Sequence, residues 1–438
     1  MPSSIDHFLT SLHRRAARQG LSLYVVGGTP RDRLLGKVCA DFDFTLQGAK
    51  DLAREFASEH RLPAVILDDT PGRETCRVIL SPAISLDFTE MQGDSIESDL
   101  EQRDFTINAM AWPFTDFIAG TQRIIDPFGG RADLQGKLVR QVSSAALSAD
   151  PLRMLRAFRF ASLLNFSIHP ETLVTIGNNP GSIVRAAGER IHHELLLFLA
   201  TDGVFPLLKT MAETGLLPAL FPEAAEDLNG ILRTFANLED RLKLSASPVG
   251  AGLASREKVL LKCATLLTRC PAGGAAAPPR RKAARMESAA LKRLRMSNAD
   301  AGFILAALAV RRGALDAGLA FAQEHGDEGG LYRFVHESGE ALEAGLTLAL
   351  AEDKAGQEGL LPAAVRVLEF YRDRYLPAQQ QPPLLSGIDL RKKFRLPPSP
   401  LFRVLLAEVE EGRVLGTLKT TGDAETHVRR RLEALERS

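Results

Sequence analysis

The amino-acid sequence predicts an α+β protein in which a mixed sheet is confined to an N-terminal head and helices form the rest. Three observations support this fold class. Short apolar runs alternate with helical patterns over roughly the first 140 residues, and from about Ser148 onward the pattern is helical almost throughout. The length of 438 residues also exceeds what one hydrophobic core usually organises, which predicts more than one domain.

The head begins with an apolar run, Leu21–Val26, which predicts a buried strand that ends at Gly27 and Gly28. A short helix is predicted over Arg31–Gly36. Asp41–Leu46 alternates polar and apolar residues, which is typical of a strand with one buried face. The remaining predictions for the head are a helix over Asp51–His60 and strands over Ala64–Leu67, Arg77–Leu80 and Ile84–Phe88.

The helical part starts with Asp150 as an N-cap and Pro151 in the first turn of a helix that runs to Leu164. Further helices are predicted over Ile191–Ala200, Phe205–Thr214 and Val259–Leu267, and the run Pro271–Pro279 is too rich in glycine, alanine and proline to pack. We therefore expect a head over residues 1–140, a helical region over 141–270, a linker or exposed loop over 271–285, and a helical body and tail over 286–438.

The overall charge does not identify a partner, because 54 basic residues balance 54 acidic ones. Basic residues do cluster from Arg280 to Arg295, where a solvated helix face and a contact with an RNA backbone both fit. The four cysteines lack metal-site spacing, which predicts reduced thiols. No apolar run has the length of a signal peptide or a membrane span, so we expect a cytoplasmic protein with no membrane partner.

The most specific chemistry lies in Gly27 and Gly28, then Arg31, then Asp41 and Asp43. Paired glycines after a strand let the backbone approach a triphosphate. Aspartates two positions apart on a strand point to the same face and can converge on Mg²⁺ ions. Such ions can activate a hydroxyl and neutralise departing pyrophosphate. Taken singly, the acidic pair also fits a solvated face and the glycines a plain turn.

A stripe of charge is predicted along the helix that follows Asp150, because Arg153, Arg156 and Arg159 recur every three residues. Three arginines on one stripe repel each other unless an anion lies against them. Arginine binds phosphate through two parallel hydrogen bonds, so we expect a triphosphate there. A stripe exposed to solvent and its counter-ions is the alternative.

Five motifs in order resemble the class II tRNA nucleotidyltransferases, which are the CCA-adding enzymes and the bacterial poly(A) polymerases. They are Gly27–Asp32 with Asp41–Asp43, Arg103–Ala111, Asp126–Gly130, Asp150–Phe160 and Glu189–Leu195, and the tail from Gly387 to Gly416 is similar to the C-terminal unit of that family. The resemblance implies a polymerase-β-like nucleotidyltransferase head before an all-α body and tail. It also implies nucleotide recognition in residues 141–270 and tRNA binding in residues 286–438.

The resemblance implies that Asp41 and Asp43 are both catalytic residues and ligands of Mg²⁺. They would serve the transfer of a nucleotide from CTP or ATP to the 3′ end of tRNA, with release of pyrophosphate. Asp87, on the predicted strand Ile84–Phe88, is a candidate third carboxylate near the metals, although an aspartate at a strand end often only caps a turn.

The resemblance also implies a nucleotide site. Asp150 and Arg153 would read the pairing edge of the incoming base, since together they offer an acceptor and a donor fork. Arg103 would lie near the nucleotide, and Asp104 would meet the ribose 2′ hydroxyl. Asn108 either supports this loop or has a purely structural role. The other nucleotide-binding residues expected from the resemblance are Gly27, Gly28, Arg31, Arg156 and Arg159.

The sequence departs from the family at three places. Ala149 stands where a glutamate is usual, and Gln102 stands where an arginine is usual. The segment Phe88–Gln102 is shorter than the corresponding segment of full CCA-adding relatives, which favours a CC-adding enzyme. Full CCA addition, A addition, poly(A) synthesis and a non-catalytic RNA-binding role remain as alternatives.

Overall fold

The computed structural model describes residues 4–39, 41–244, 248–268, 280–317, 319–323, 327–352 and 357–436. The chain divides into two compact units, Met1–Leu220 and Phe221–Ser438. The domain boundaries predicted after residues 140, 270 and 285 do not coincide with this division and stay predictions. Each unit is described below by itself.

A six-stranded sheet forms the centre of the first unit, in the order β3-β4-β5-β2-β1-β6. The β2–β5 pair is parallel and the other neighbouring pairs are antiparallel, so the prediction of a mixed sheet is confirmed. The strands are β1 (Tyr24–Val26), β2 (Asp41–Leu46), β3 (Ala64–Asp68), β4 (Thr75–Ser81), β5 (Ile84–Glu90) and β6 (Trp112–Pro113), and a second small sheet pairs β7 (Leu138–Val139) with β8 (Ser167–Ile168).

The alternation of β2 decides which sheet face carries the polar residues. Phe42 and Phe44 are fully buried in the core of the head, where the ring of Phe44 stacks on Phe88 at 5.3 Å between centroids. Because neighbouring residues of a strand point to opposite faces, Asp41 and Asp43 lie on the other side. The predicted strand Asp41–Leu46 is therefore confirmed, with its acidic face away from the core.

Helices surround the sheet and complete the first unit. The predicted helix after Asp150 runs over Leu152–Leu164, with Leu155 and Phe158 fully buried. The helices are α1 (Ser4–Arg18), α2 (Gly28–Leu34), α3 (Ala49–His60), α4 (Ile96–Glu101), α5 (Phe114–Ala119), α6 (Gly130–Gln135), α7 (Ser144–Ala149), α8 (Leu152–Leu164), α9 (Pro170–Asn178), α10 (Gly188–Leu199), α11 (Phe205–Glu213) and α12 (Leu216–Leu220).

Helices joined by turns and short irregular connections form the described residues of the second unit. Its helices are α13 (Leu228–Lys243), α14 (Ser255–Thr265), α15 (Arg280–Arg293), α16 (Asn298–Ala317), α17 (Ala320–Gln323), α18 (Glu328–Ser338), α19 (Leu342–Glu352), α20 (Gln357–Phe370), α21 (Leu376–Gln379), α22 (Gly387–Phe394), α23 (Pro400–Leu415) and α24 (Thr421–Glu436). In the parts of the chain that the structure describes, no helix is both long and apolar enough to cross a membrane.

The predicted linker and the basic segment meet in α15. Residues 271–279 of that linker lie outside the described residues, and residues 280–285 form the first turns of the helix rather than a loop. Glu287, the one acid in the basic segment, is buried and accepts a hydrogen bond from Arg312 at 2.6 Å. This pair attaches one side of α15 to α16, and the choice between a solvated face and an RNA contact stays a prediction.

Candidate active site

Four polar side chains line up across β2 and β5 on the sheet face that points away from the core. The parallel register places Asp41 opposite Ser85 and Asp43 opposite Asp87. Opposite residues of neighbouring strands point to the same face, so these side chains form a row. The hydroxyl of Ser85 donates to Asp41 Oδ1 at 2.9 Å, which orients the exposed carboxylate of Asp41.

The surroundings of Asp43 disfavour its ionised form, because they raise the pKa of its carboxyl group. Burial raises the pKa of Asp43, and the charges of Asp87 and Asp41 raise it further. The charge of Arg103 and a hydrogen bond from the Gly28 N–H act in the opposite direction without cancelling the shift. A cation placed against Asp41 and Asp43 would therefore relieve an unfavourable arrangement of charge.

The candidate third carboxylate, Asp87, is bound within the sheet. Arg77 of β4 donates from Nε and Nη2 to the two oxygens of Asp87, both at 2.7 Å. Asp87 therefore lies beside Asp43, but both oxygens of Asp87 accept hydrogen bonds from Arg77. Among the described residues, no group of three or more His, Cys, Asp or Glu side chains is arranged to hold a metal ion. The pair Asp41 and Asp43 remains the candidate for cation binding.

Gly27 allows β1 and α2 to pass close to Asp43. Its φ of 68° lies in the left-handed region that favours glycine. A Cβ at this position would lie 2.7 Å from Asp43 Oδ2, which is closer than van der Waals contact. The following N–H, that of Gly28, is directed to Asp43 and not to an open surface, so the glycines position the carboxylate as well as the chain.

Alanine substitution at Gly27 is expected to destabilise the first unit more than the same change at Gly20. Both glycines have nearly the same φ, 68° and 67°, so both variants carry a left-handed backbone cost of about 1–2 kcal/mol. Nothing lies within 4 Å of a Cβ at Gly20, whereas a Cβ at Gly27 must displace Asp43. We expect Gly27→Ala to lower the free energy of unfolding by a further 1–3 kcal/mol or so, measured in urea. Equal losses would contradict the close approach.

Next to this row, a cleft of about 670 Å³ opens in the first unit. Its lining is strongly charged, with six arginines and four aspartates. The lining residues are Val26, Gly27, Gly28, Arg31, Asp43, Arg73, Thr89, Gln92, Asp99, Gln102, Arg103, Asp104, Asn108, Ala149, Asp150, Arg153, Arg156, Phe160 and Arg190. Excess positive charge in a concave site suits a polyphosphate ligand.

The cleft brings together residues that are far apart in the sequence. Asp41 and Arg159 are the two predicted site residues outside its lining: Asp41 is exposed on β2, and the Arg159 guanidinium lies over the ring of Phe160. The predicted residues that line it are Gly27, Gly28, Arg31, Asp43, Arg103, Asp104, Asp150, Arg153 and Arg156.

The carboxylate of Asp104 lines the cleft and is held by several protein groups, and its expected contact with a ribose hydroxyl stays a prediction. It is 7% exposed and accepts hydrogen bonds from Arg156 at 2.7 and 2.9 Å, from Asn108 Nδ2 at 3.0 Å and from the Phe105 N–H at 2.8 Å. Burial opposes ionisation of Asp104, but the charge of Arg156 and these hydrogen bonds outweigh it and lower the pKa. Asn108 also accepts from Arg31 at 2.7 Å, so it has the supporting role left open above.

Two arginines of the stripe on α8 form ion pairs inside the protein, and the expected contact of the stripe with a triphosphate stays a prediction. Glu194 of α10 is 6% exposed and forms ion pairs with Arg156, at 3.2 Å, and with Arg159. Asp104 supplies a second carboxylate to Arg156. The repulsion within the stripe is therefore relieved by acidic residues that are distant in the sequence.

The two predicted base-reading residues are also held by protein groups. Asp150 Oδ2 accepts from Arg190 at 2.8 Å, and its Oδ1 accepts from the Leu152 N–H at 3.1 Å. Arg153 donates to three backbone carbonyls: Gln102 at 2.8 Å, and Arg103 and Ala146 each at 3.2 Å. A base can pair with these side chains through the N–H groups and lone pairs that these hydrogen bonds leave unoccupied.

Sequence reasoning missed several residues of the site. Phe160 has the guanidinium groups of Arg31, Arg156 and Arg159 at 5.4, 5.2 and 4.1 Å from its ring centroid, which suits cation–π contact. Arg190 and Glu194 are four residues apart, which places them on one face of α10, and that spacing was the available signal. Asp99 lies four residues before Arg103, which is the same kind of signal, whereas Arg73 carried no comparable signal toward the cleft.

Comparison with known families matches two parts of the chain. Residues 23–140 match the family described as "Poly A polymerase head domain". Residues 165–228 match the family described as "Probable RNA and SrmB-binding site of polymerase A". The first match contains the whole row of aspartates, and the second contains Arg190 and Glu194.

Among similar proteins, a CC-adding tRNA nucleotidyltransferase of Geobacter sulfurreducens is 38% identical over 229 residues, which are 52% of this chain and 51% of that protein. An A-adding tRNA nucleotidyltransferase of Deinococcus radiodurans is 30% identical over 433 residues, covering 93% of this chain and 94% of that protein. A solved CCA-adding enzyme in complex with CTP has the same fold, with a TM-score of 0.71 at 21% identity over 99% of this chain and 96% of that one.

Proposed function

We propose, because the chain belongs to the class II tRNA nucleotidyltransferase family, that it adds nucleotides to the 3′ end of tRNA without a template and releases pyrophosphate. CTP is the proposed substrate, and the proposed product is a tRNA end extended by two CMP residues. We place this activity in the cytoplasm. The observation that carries the proposal is the position of Asp41 and Asp43 beside a cleft lined by six arginines.

The residues of the cleft are proposed to have two roles, binding of the nucleotide and positioning of α8. Arg103 and Arg153 are the lining arginines proposed to face the nucleotide, and Asp150 is proposed to accept from its base. The network of Asp104, Arg156 and Glu194 is proposed to hold α8 in place rather than to touch the ligand. Fixed charges that need no rearrangement suit phosphoryl transfer, where catalysis is mostly positioning and neutralisation of charge.

A divalent cation belongs to the chemistry of this family, and the residues present fit one. Asp41 and Asp43 supply hard oxygen ligands, and a cation beside them would favour the ionised form of Asp43, whose pKa is raised by burial and by the charges of Asp87 and Asp41. We propose Mg²⁺ as this cation. When bound, it supplies charge neutralisation at the reacting phosphate and activates the terminal hydroxyl. Asp41 and Asp43 would hold it, with Ser85 fixing the orientation of Asp41.

Addition of Mg²⁺ is expected to raise the melting temperature of the wild-type protein and to leave that of an Asp41→Asn/Asp43→Asn variant unchanged. A ligand present at ten times its Kd stabilises the folded state by about 1.4 kcal/mol. Differential scanning fluorimetry with and without Mg²⁺ measures this. Asp68→Asn, which alters an exposed carboxylate on β3, is the matched control and should keep the shift. A shift that survives in the double variant would place the cation elsewhere.

The proposed CC product rests on two supports. The Geobacter relative named as CC-adding is 38% identical to this chain over 229 residues. The segment between β5 and the Arg103 motif is also compact, with five residues before α4 and a short connection after it. A addition is the second candidate, because the relative from Deinococcus, which covers 93% of the chain, is named as A-adding.

Three tRNA substrates distinguish these products. They end before CCA, after the first C, and after the second C, and each is incubated with labelled CTP or labelled ATP alone. A CC-adding enzyme extends the first two with CMP and leaves the third unchanged. AMP addition to the third substrate only would replace the proposal by A addition, and AMP addition to it together with CMP addition to the others would show full CCA synthesis. Long runs of AMP on an unrelated RNA would show a poly(A) polymerase.

A further inference from the structure

The segment between β5 and Arg103 is organised around the buried carboxylate of Asp99, which is 5% exposed. Asp99 Oδ1 accepts from the Gln92 N–H at 3.0 Å and from the Thr45 hydroxyl at 3.4 Å. Asp99 Oδ2 accepts from Arg103 Nε at 3.2 Å and Nη2 at 2.8 Å. One side chain thus connects the beginning of the segment, its end, and the neighbouring strand.

Asp99 is attached to β2, the strand that carries Asp41 and Asp43. Thr45 lies on β2 two residues after Asp43, so its side chain points to the same face of the sheet as the row of aspartates. A carboxylate is a strong acceptor for the donors around it, because hydrogen bonds to a charged group are stronger than those between neutral groups. Asp99 therefore attaches the segment to β2 close to Asp43 and holds the Arg103 guanidinium at the cleft.

A further consequence concerns the arginine proposed to read the base. Arg153 donates to the carbonyls of Gln102 and Arg103, which follow the C-terminal end of α4. The position of these carbonyls depends on α4, and α4 is fixed by Asp99. The orientation of Arg153 is consequently linked through the segment to the strand that carries Asp43.

We propose that Asp99 is a specificity-determining positioning residue, which sets the choice between CTP and ATP by fixing the backbone on which Arg153 rests. This inference rests on the proposed function, since it presupposes nucleotide addition. Asp99 has two actions, and each is carried by a different oxygen of its carboxylate. Oδ2 holds the Arg103 side chain, and Oδ1 holds the segment whose carbonyls hold Arg153.

Two variants separate the two actions. Asp99→Asn keeps an oxygen for Gln92 and Thr45 but presents an N–H donor to Arg103, so it releases the Arg103 side chain and retains the segment. Asp99→Ala removes both attachments. Glu90→Ala is the matched control, because Glu90 also holds backbone N–H groups, those of Gly48 and Ala49 at 2.9 Å each, at the end of β5 and outside the cleft lining.

The test measures kcat and KM for CTP and for ATP with a tRNA that ends before CCA. We expect Asp99→Asn to raise the KM for CTP about tenfold with the CTP to ATP ratio of kcat/KM unchanged within about twofold. We expect Asp99→Ala to lower that ratio at least about tenfold as well. Glu90→Ala should change neither quantity by more than about twofold.

The inference is overturned if Asp99→Ala retains the wild-type CTP to ATP ratio, or if Glu90→Ala loses it to the same extent. Thermal unfolding of each variant establishes that it is folded. If Asp99→Ala does not fold, Asp99→Leu takes its place, since it removes both attachments without leaving a cavity, and a wild-type CTP to ATP ratio in that variant overturns the inference. Failure of the wild-type protein to extend any tRNA would instead contradict the proposed function, so the two failures are distinguishable.

Discussion

Replacement of Asp43 by asparagine is expected to lower the rate of nucleotide addition at least about a thousandfold and to leave tRNA binding within about twofold of wild type. Asparagine has nearly the same shape, so Gly27 and Phe42 keep their contacts, but the charge that attracts a cation is lost. Because burial and the neighbouring Asp87 and Asp41 oppose ionisation of Asp43, the neutral variant should also be at least as stable as the metal-free wild type.

Single-turnover kinetics and a filter-binding assay measure the two quantities separately. Asp68→Asn is again the matched control, because it removes an exposed carboxylate from the same sheet. It should retain wild-type rates. Near-normal nucleotide addition by Asp43→Asn would remove Asp43 from the catalytic residues, and a parallel loss of tRNA binding would indicate a structural defect in place of a chemical one.

Replacement of Glu194 by alanine is expected to cost about 3–5 kcal/mol of the free energy of unfolding, because it leaves two partly buried arginines without a shared carboxylate. Arg159 relies on Glu194 for its ion pair, and Arg156 keeps only Asp104. Repulsion along α8 would then return. Urea unfolding of the wild-type and variant proteins measures the loss, with the transition of the first unit followed by the fluorescence of Trp112, the single tryptophan of the chain.

Glu213→Ala is the matched control for Glu194→Ala. Its carboxylate forms an exposed ion pair with Lys209 at 3.9 Å on α11 of the same unit. An exposed pair of this kind contributes at most about 1 kcal/mol. Similar losses for the two variants would show that Glu194 behaves as a surface residue, which contradicts its role between Arg156 and Arg159.

The sequence was sufficient to predict the features of the head that depend on neighbouring residues. The alternation over Asp41–Leu46 predicts the strand and its acidic face, because burial of Phe42 and Phe44 leaves Asp41 and Asp43 on the opposite side. The fold class could be predicted for the same reason, since each period of apolar residues is local. The predicted strand Leu21–Val26 was too long, as the structure has Tyr24–Val26.

The pairing of charges could not be predicted because it depends on contacts between distant parts of the chain. Glu194 is 35 residues beyond Arg159, and only the packing of α10 against α8 brings them together. Asp104 is 52 residues before Arg156. Asp99 is different, since it lies four residues before Arg103, a spacing that favours an ion pair. The hydrogen bond between Asp99 and Thr45, however, depends on the position of β2 and could not be predicted from the sequence.

The central claim is that the protein extends a tRNA 3′ end at Asp41 and Asp43 with CTP and a divalent cation. The most direct measurement uses a tRNA that ends before CCA, labelled CTP and Mg²⁺, and follows tRNA length and pyrophosphate release together. We predict one pyrophosphate for each CMP added, arrest after two additions, and no product with EDTA or with Asp43→Asn. A wild-type protein that binds this tRNA but adds no nucleotide from CTP or ATP would contradict the claim.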